Sequence, residues 1–219
     1  NMTRKSIRLK VWERDEAFVR GEAIRQAEAG ATHIDLNAGG DPSKEAADMV
    51  WLTKIVSDAT SLPLSFDSAN PEVLRAGLEL CNRPGTIINS LTMERARVEA
   101  ALPLVKEFGA GIICLTMDDS GMPEDLDGRV RIADGIACLL RSNGIPLDQA
   151  YFDPLVRPAS TNPGQAQHIL DAIRVIREKY PESHIALGLS NVSFGIPRRN
   201  NLNKAFLAML SPRGATARL

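Results

Sequence analysis

"LPLSFDSANPEVLRAGLELC", residues 62–81, holds a whole structural unit in twenty residues. Leu62 to Phe66 form a short, mostly apolar run suited to a buried strand, and Asp67 and Ser68 close it. Asn70 and Pro71 then stand at the N-cap and first helical position of a segment with helical periodicity, predicted over 71–81. The unit is strand, polar end, cap, helix.

The same order recurs along the chain. Apolar segments stand at "THIDLN" (32–37), "GTIINS" (85–90), "GIICLTMD" (111–118), "AYFDP" (150–154) and "HIALGLSN" (184–191). Helix-period stretches are predicted over 13–29, 42–59, 93–108, 127–143 and 165–179, with Asp41 as N-cap and Pro42 opening the second of these. Gly30 and Gly109 each end a helix just before a strand. Such apolar runs between helices are strands of a parallel sheet covered by its crossovers. A spacing of about thirty residues per βα unit is the pace of an eight-fold barrel. The rival, a doubly wound open sheet, would need a change of rhythm at a switch point and would suit a glycine-rich G-x-G-x-x-G turn. Neither is present. The fold class expected is therefore α/β, a TIM (β/α)8 barrel. Six strands are visible where a closed barrel has eight, so its first and last strands are expected to be absent from this chain. No linker or low-complexity tract divides residues 1–219, which read as a single domain truncated at both ends.

Composition narrows the chemistry. A net charge of −1 offers no attraction to nucleic acid or an anionic membrane surface, and no apolar run is long enough to cross a bilayer. Residues 2–14 lack the apolar core of a signal peptide. Cys81, Cys114 and Cys138 lie far apart and form no C-x-x-C pair, so reduced, mostly buried thiols and a cytoplasmic setting are expected. No His or Cys pair has ligand spacing, so no metal is expected. His33, His168 and His184 read as structural or surface residues.

The strand ends carry the signal. Asp35 and Asn37, Asp67 and Ser68, Asn89 and Ser90, Thr116 and Asp118, Asp153, and Ser190 and Asn191 finish successive strands. One such residue is ordinarily a helix cap, as Ser68 and Asp118 can be. Six in succession on the face where barrel enzymes work make a mouth of acceptors and amides. No lysine follows a strand directly, which argues against Schiff-base chemistry, and there is no Ser-His-Asp arrangement. The mouth suits a flat, neutral heterocycle rich in donors.

The runs "HIDLNAGGDPSKEAADMVWL", "LPLSFDSANPEVLRAGLELC", "TIINSLTMERARVE", "GAGIICLTMDDSGMPED", "YFDPLVRP" and "LGLSNVSFGIPRRNNLNKAFLAM" together resemble the methyltetrahydrofolate:corrinoid methyltransferases. These are pterin-binding barrels related to the folate domain of cobalamin-dependent methionine synthase. The resemblance covers nearly the whole chain and implies a single pterin-binding barrel domain. It implies that Asp67, Asn89 and Asp153 hold the pterin edge, that the backbone around Gly188 and Ser190 lines the pocket, and that Asp35 and Asn37 support it. It further implies that Asn191 faces the ring nitrogen bearing the methyl group, with Asp153 assisting in catalysis. Arg199 and Asn203 match a loop near the folate tail or protein partner, although Ile196-Pro197-Arg198 departs from the family's pattern there. The substrate implied is tetrahydrofolate or methyltetrahydrofolate, and the cobalt belongs to a corrinoid (cobalamin) carried by a partner protein. Some members of the family methylate the corrinoid protein and others take methyl from it.

Two other functions are weighed. A dihydropteroate synthase would share the pterin cradle, but it handles pyrophosphate and p-aminobenzoate with a lysine and a Ser-x-Arg-x-His element, which this chain lacks. A non-catalytic module binding pterin or a corrinoid protein would use the cradle without turnover. A homodimer is expected. The segment holding Met49 and Trp51 would serve either its interface or the core.

Overall fold

The computed structural model describes residues 5–161, 164–210 and 212. Backbone contacts divide the chain into two compact units, Asn1–Ser90 with Ala100–Gly111 and Leu91–Glu99 with Ile112–Leu219.

The first unit runs α1 (Lys5–Trp12), α2 (Glu16–Glu28), β1 (Ile34–Asn37), α3 (Glu45–Ala59), β2 (Leu64–Asp67), α4 (Pro71–Leu80) and β3 (Ile87–Leu91), with most of α5 (Arg95–Phe108). Its strands are parallel and lie in chain order, with Asn37 in register with Asp67 and Asp67 with Asn89. The opening stretch folds as read: Asn70 accepts the Glu72 N–H at 2.9 Å and Pro71 begins α4. Helix α4 lies close on β2 because Gly77 leaves room for the buried Phe66 ring, which a Cβ there would meet at 2.5 Å. Arg83 closes the far end of α3 by donating to the carbonyls of Ser57, Thr60 and Leu62 at 2.6–2.9 Å.

The second unit runs β4 (Gly111–Leu115), α6 (Leu126–Ser142), β5 (Ala150–Asp153), α7 (Gly164–Lys179), β6 (His184–Ile185) and α8 (Arg199–Leu210). It too has parallel strands in chain order. Helix α6 opens on Asp125, whose side chain accepts the Gly128 N–H. Gly30 and Gly109 have φ of +89° and +61°, the left-handed exits expected of helix-ending glycines.

Three local readings are corrected. The helix predicted over 13–29 is α2 alone, starting at Glu16: the chain turns at Arg14, with φ +54°, Asp15 caps α2 by accepting the Phe18 N–H, and a separate helix, α1, precedes the turn. Asp41 does not cap α3. Its carboxylate accepts from the Ser43 N–H and hydroxyl, so residues 42–44 form a turn and α3 starts at Glu45. Ser190 and Asn191 do not end a strand. β6 stops at Ile185, and these residues lie in a 3-10 turn, Leu189–Ser193. Met49 is fully buried, and Trp51 is half-buried under the Arg14 guanidinium, 4.7 Å away. Cys81 and Cys114 are free and buried, and Cys138 is free but exposed.

Candidate active site

In the first unit the expected residues form two neighbouring hydrogen-bonded sets, Asn37 with Asp67 and Asp35 with Ser65 and Asn89. Alternation along β1 buries Ile34 and Leu36 and leaves Asp35 and Asn37 half-buried on the other face. Asn37 and Asp67 are in register, and the Asn37 amide donates to the Asp67 carboxylate at 2.9 Å. Its oxygen accepts the Gly39 N–H, so the amide orientation is fixed from both ends. One step along, Asp35 accepts from the Ser65 hydroxyl at 3.0 Å and, more weakly, from the Asn89 amide at 3.4 Å. Asp35 and Asn37 thus brace Asp67 and Asn89. The Asn89–Ser90 peptide bond is cis. Ser68 accepts the Asn70 N–H and donates to Glu45, closing a turn instead of capping a helix.

In the second unit Asp153 ends β5 and is 6% exposed. Burial pushes its carboxyl up to about 7, against the pull of two backbone N–H groups, Leu155 at 2.7 Å and Gly188. The Asp153 carbonyl accepts both the N–H and the hydroxyl of the fully buried Thr116. Leu155 donates from a left-handed conformation, φ +62°. Gly188 connects Asp153 to Asn191: its N–H binds the carboxyl, and its carbonyl accepts the Asn191 N–H at 3.1 Å. A Cβ on Gly188 would lie 2.8 Å from the Asn191 amide nitrogen, so glycine here provides space. Its φ of −73° is open to any residue. Arg199 fastens the 3-10 turn from α8, donating to the Ser190 carbonyl at 2.8 Å and the Ser193 hydroxyl at 3.0 Å. Asn191 itself is exposed.

The other candidates take structural places. His33 contacts the Gly85 carbonyl and His184 stacks on Tyr151. Asp118 accepts the Ser120 N–H and pairs with Arg131, away from any helix cap. Among the described residues no group of three or more His, Cys, Asp or Glu could hold a metal ion, and no helix is long and apolar enough to cross a membrane. Sequence reasoning placed Thr116 at a strand end without its bonds to the Asp153 carbonyl, and it missed Leu155 and Arg129, which hold the Asp153 turn. Arg129 had a signal, a charge on the stripe of α6 that otherwise carries Ile132, Ala133, Ile136 and Leu140.

Residues 1–218 match the family model described as pterin binding enzyme. A methylcorrinoid:tetrahydrofolate methyltransferase of Eubacterium limosum is 35% identical over 205 residues, covering 93% of this chain and 75% of that protein. A methionine synthase of Mycobacterium leprae is 31% identical over 195 residues, 83% of this chain but 16% of the larger protein. The dihydropteroate synthase of Xanthomonas albilineans in complex with 7,8-dihydropteroate superposes with a TM-score of 0.70 at 20% identity, covering 91% of this chain and 76% of that one. That of Coxiella burnetii in complex with pteroic acid gives 0.70 at 14% identity, covering 93% and 78%. The solved structures show the fold, the parallel α/β architecture of the pterin barrels. The chain belongs to the pterin-binding enzymes, in the branch of the methylcorrinoid:tetrahydrofolate methyltransferases.

Proposed function

We propose that the chain moves a methyl group between tetrahydrofolate and the cobalt of a corrinoid held by a partner protein. The observation that carries this reading is the 35% identity to a methylcorrinoid:tetrahydrofolate methyltransferase along 93% of the chain. The donor set supports it, since carboxylates and amides at strand ends complement a pterin edge rich in N–H groups. Asp67, Asn89 and Asp153 hold that edge, Asp35 and Asn37 brace the first two, and the backbone at Gly188 and Ser190 lines the ring. Asp153, with its carboxyl near neutrality, can exchange a proton with the ring or its water at little cost. Asn191 hydrogen-bonds the nitrogen that gains or loses methyl, an interaction that strengthens as charge changes there. Methyl passing to this nitrogen leaves the bond's electron pair on cobalt and releases the nitrogen's proton; the reverse transfer restores both. This reading includes a homodimer, to be checked by light scattering, and a cytoplasmic setting that suits the free, buried Cys81 and Cys114.

The test mixes the protein with methylcobalamin and tetrahydrofolate and follows the corrinoid spectrum. Methyl transfer above the uncatalysed rate is expected, and Asn191→Ala should slow it by roughly ten- to a thousand-fold, the scale of one lost transition-state hydrogen bond. Full activity in that variant would remove Asn191 from the mechanism. The dihydropteroate synthase reading has only fold-level likeness behind it. Binding of methyltetrahydrofolate without magnesium separates the two.

A further inference from the structure

Arg129 is the largest fully buried side chain among the described residues. Its hydrogen bonds go to neutral oxygens: Nε to the Pro154 carbonyl at 2.9 Å, Nη1 to the Asp125 carbonyl at 2.9 Å, and Nη2 to Oε1 of Gln165 at 2.8 Å. Gln165, 2% exposed, passes the brace on to the Glu124 carbonyl at 2.9 Å. A buried guanidinium whose hydrogen bonds all go to neutral dipoles is costly, and burial, with the nearby Arg157 cation, pushes its pKa down against the pull of the Glu124 and Asp125 carboxylates. Its neighbours on α6 are Ile132, Ala133 and Ile136, so an apolar residue would fill the position as well. Packing alone does not account for the charge.

The carbonyl that Arg129 Nε holds belongs to the Pro154–Leu155 peptide unit. A peptide is planar, and in its trans form the N–H points opposite to the carbonyl. The N–H of this unit is the one that binds the Asp153 carboxyl at 2.7 Å. Fixing the carbonyl therefore fixes the donor, and the cation on the carbonyl polarises the N–H as well. We propose that Arg129 is a positioning residue: through the Pro154–Leu155 peptide plane it sets the hydrogen bond that orients Asp153 and tunes its acidity. The consequence for pterin binding rests on the function proposed above; the relay itself does not.

Two measurements separate these. Carbon NMR of the Asp153 carboxyl in the free protein tests the relay without any ligand. Arg129→Lys should move the midpoint of its titration upward, because the Leu155 N–H that donates to the carboxylate is no longer held and polarised as before. Calorimetry with tetrahydrofolate tests the consequence. Arg129→Lys should weaken binding about ten-fold, the size of one hydrogen bond to a charged group. Added to Asp153→Asn, it should cost less than about two-fold more, because the two act through one contact. An unmoved titration, or an equal loss of affinity in both backgrounds, overturns the proposal. If Arg129→Lys does not fold, Gln165→Leu keeps the cation and removes one acceptor. The same upward shift, smaller in size, is expected, and an unchanged midpoint overturns the relay. Wild-type protein that does not bind tetrahydrofolate while the NMR shift appears would refute the function and leave the relay standing.

Discussion

At Asp153 stability and chemistry meet in one titration. The folded carboxyl ionises near pH 7, whereas an unfolded aspartate does so near 4. Between these values the folded state keeps a proton that the unfolded state releases, so stability falls as pH rises from about 4 to 7. Asp153→Asn, which cannot ionise, should flatten that slope. The urea midpoint measured across pH 4–8 checks it, with a wild-type change on the order of a few kcal/mol expected. Gly188→Ala probes the neighbouring contact. The clash at 2.8 Å is with a side-chain tip that can swing away, so stability should change little. Methyl transfer should nevertheless drop by at least about ten-fold, because Asn191 is displaced from its place. The strand-end acids and amides were legible in the sequence because they close apolar runs. The turn carrying Asn191 was not, because Leu187 and Leu189 prolong the apolar pattern past the last paired residue.

Between elements, what matters is how closely one approaches another. Gly77→Ala would improve helix propensity in α4 by about 1 kcal/mol, yet it places a methyl group 2.5 Å from the Phe66 ring. Overpacking of this kind costs about 1–3 kcal/mol, so net destabilisation of up to about 2 kcal/mol is expected in chemical denaturation. The helix starts show where sequence reading succeeds. Asn70 has Pro71 after it, and its side chain accepts the Glu72 N–H at the start of α4. Asp41 has Ser43 two residues on, and the local turn takes its carboxylate before any helix does. The break between α1 and α2 was hidden because Arg14, with φ +54°, is not a residue that announces a left-handed turn.

For the molecule as a whole the rhythm of about thirty residues was enough to predict parallel βα repeats, because each strand is buried and each crossover needs a helix. The intrinsic fluorophores divide by unit: Trp12 and Trp51 lie in the first, Tyr151 and Tyr180 in the second. The proposed pterin contacts divide the same way, with Asp67 and Asn89 in one and Asp153 and Asn191 in the other. Tetrahydrofolate at a hundred times its Kd should add about 2.7 kcal/mol to stability. On thermal unfolding, tryptophan reports a ligand held by the first unit and tyrosine one held by the second. A shift confined to tryptophan would restrict the ligand to the first unit.

Leu155, held at φ +62°, is a tempting target for anyone hardening this protein against heat. Glycine would sit there without the crowding that a leucine side chain brings. The same exchange would let the Pro154–Leu155 peptide wander and slacken the grip on Asp153. The sturdier variant would be the poorer enzyme, and a library screened for melting temperature alone would favour it.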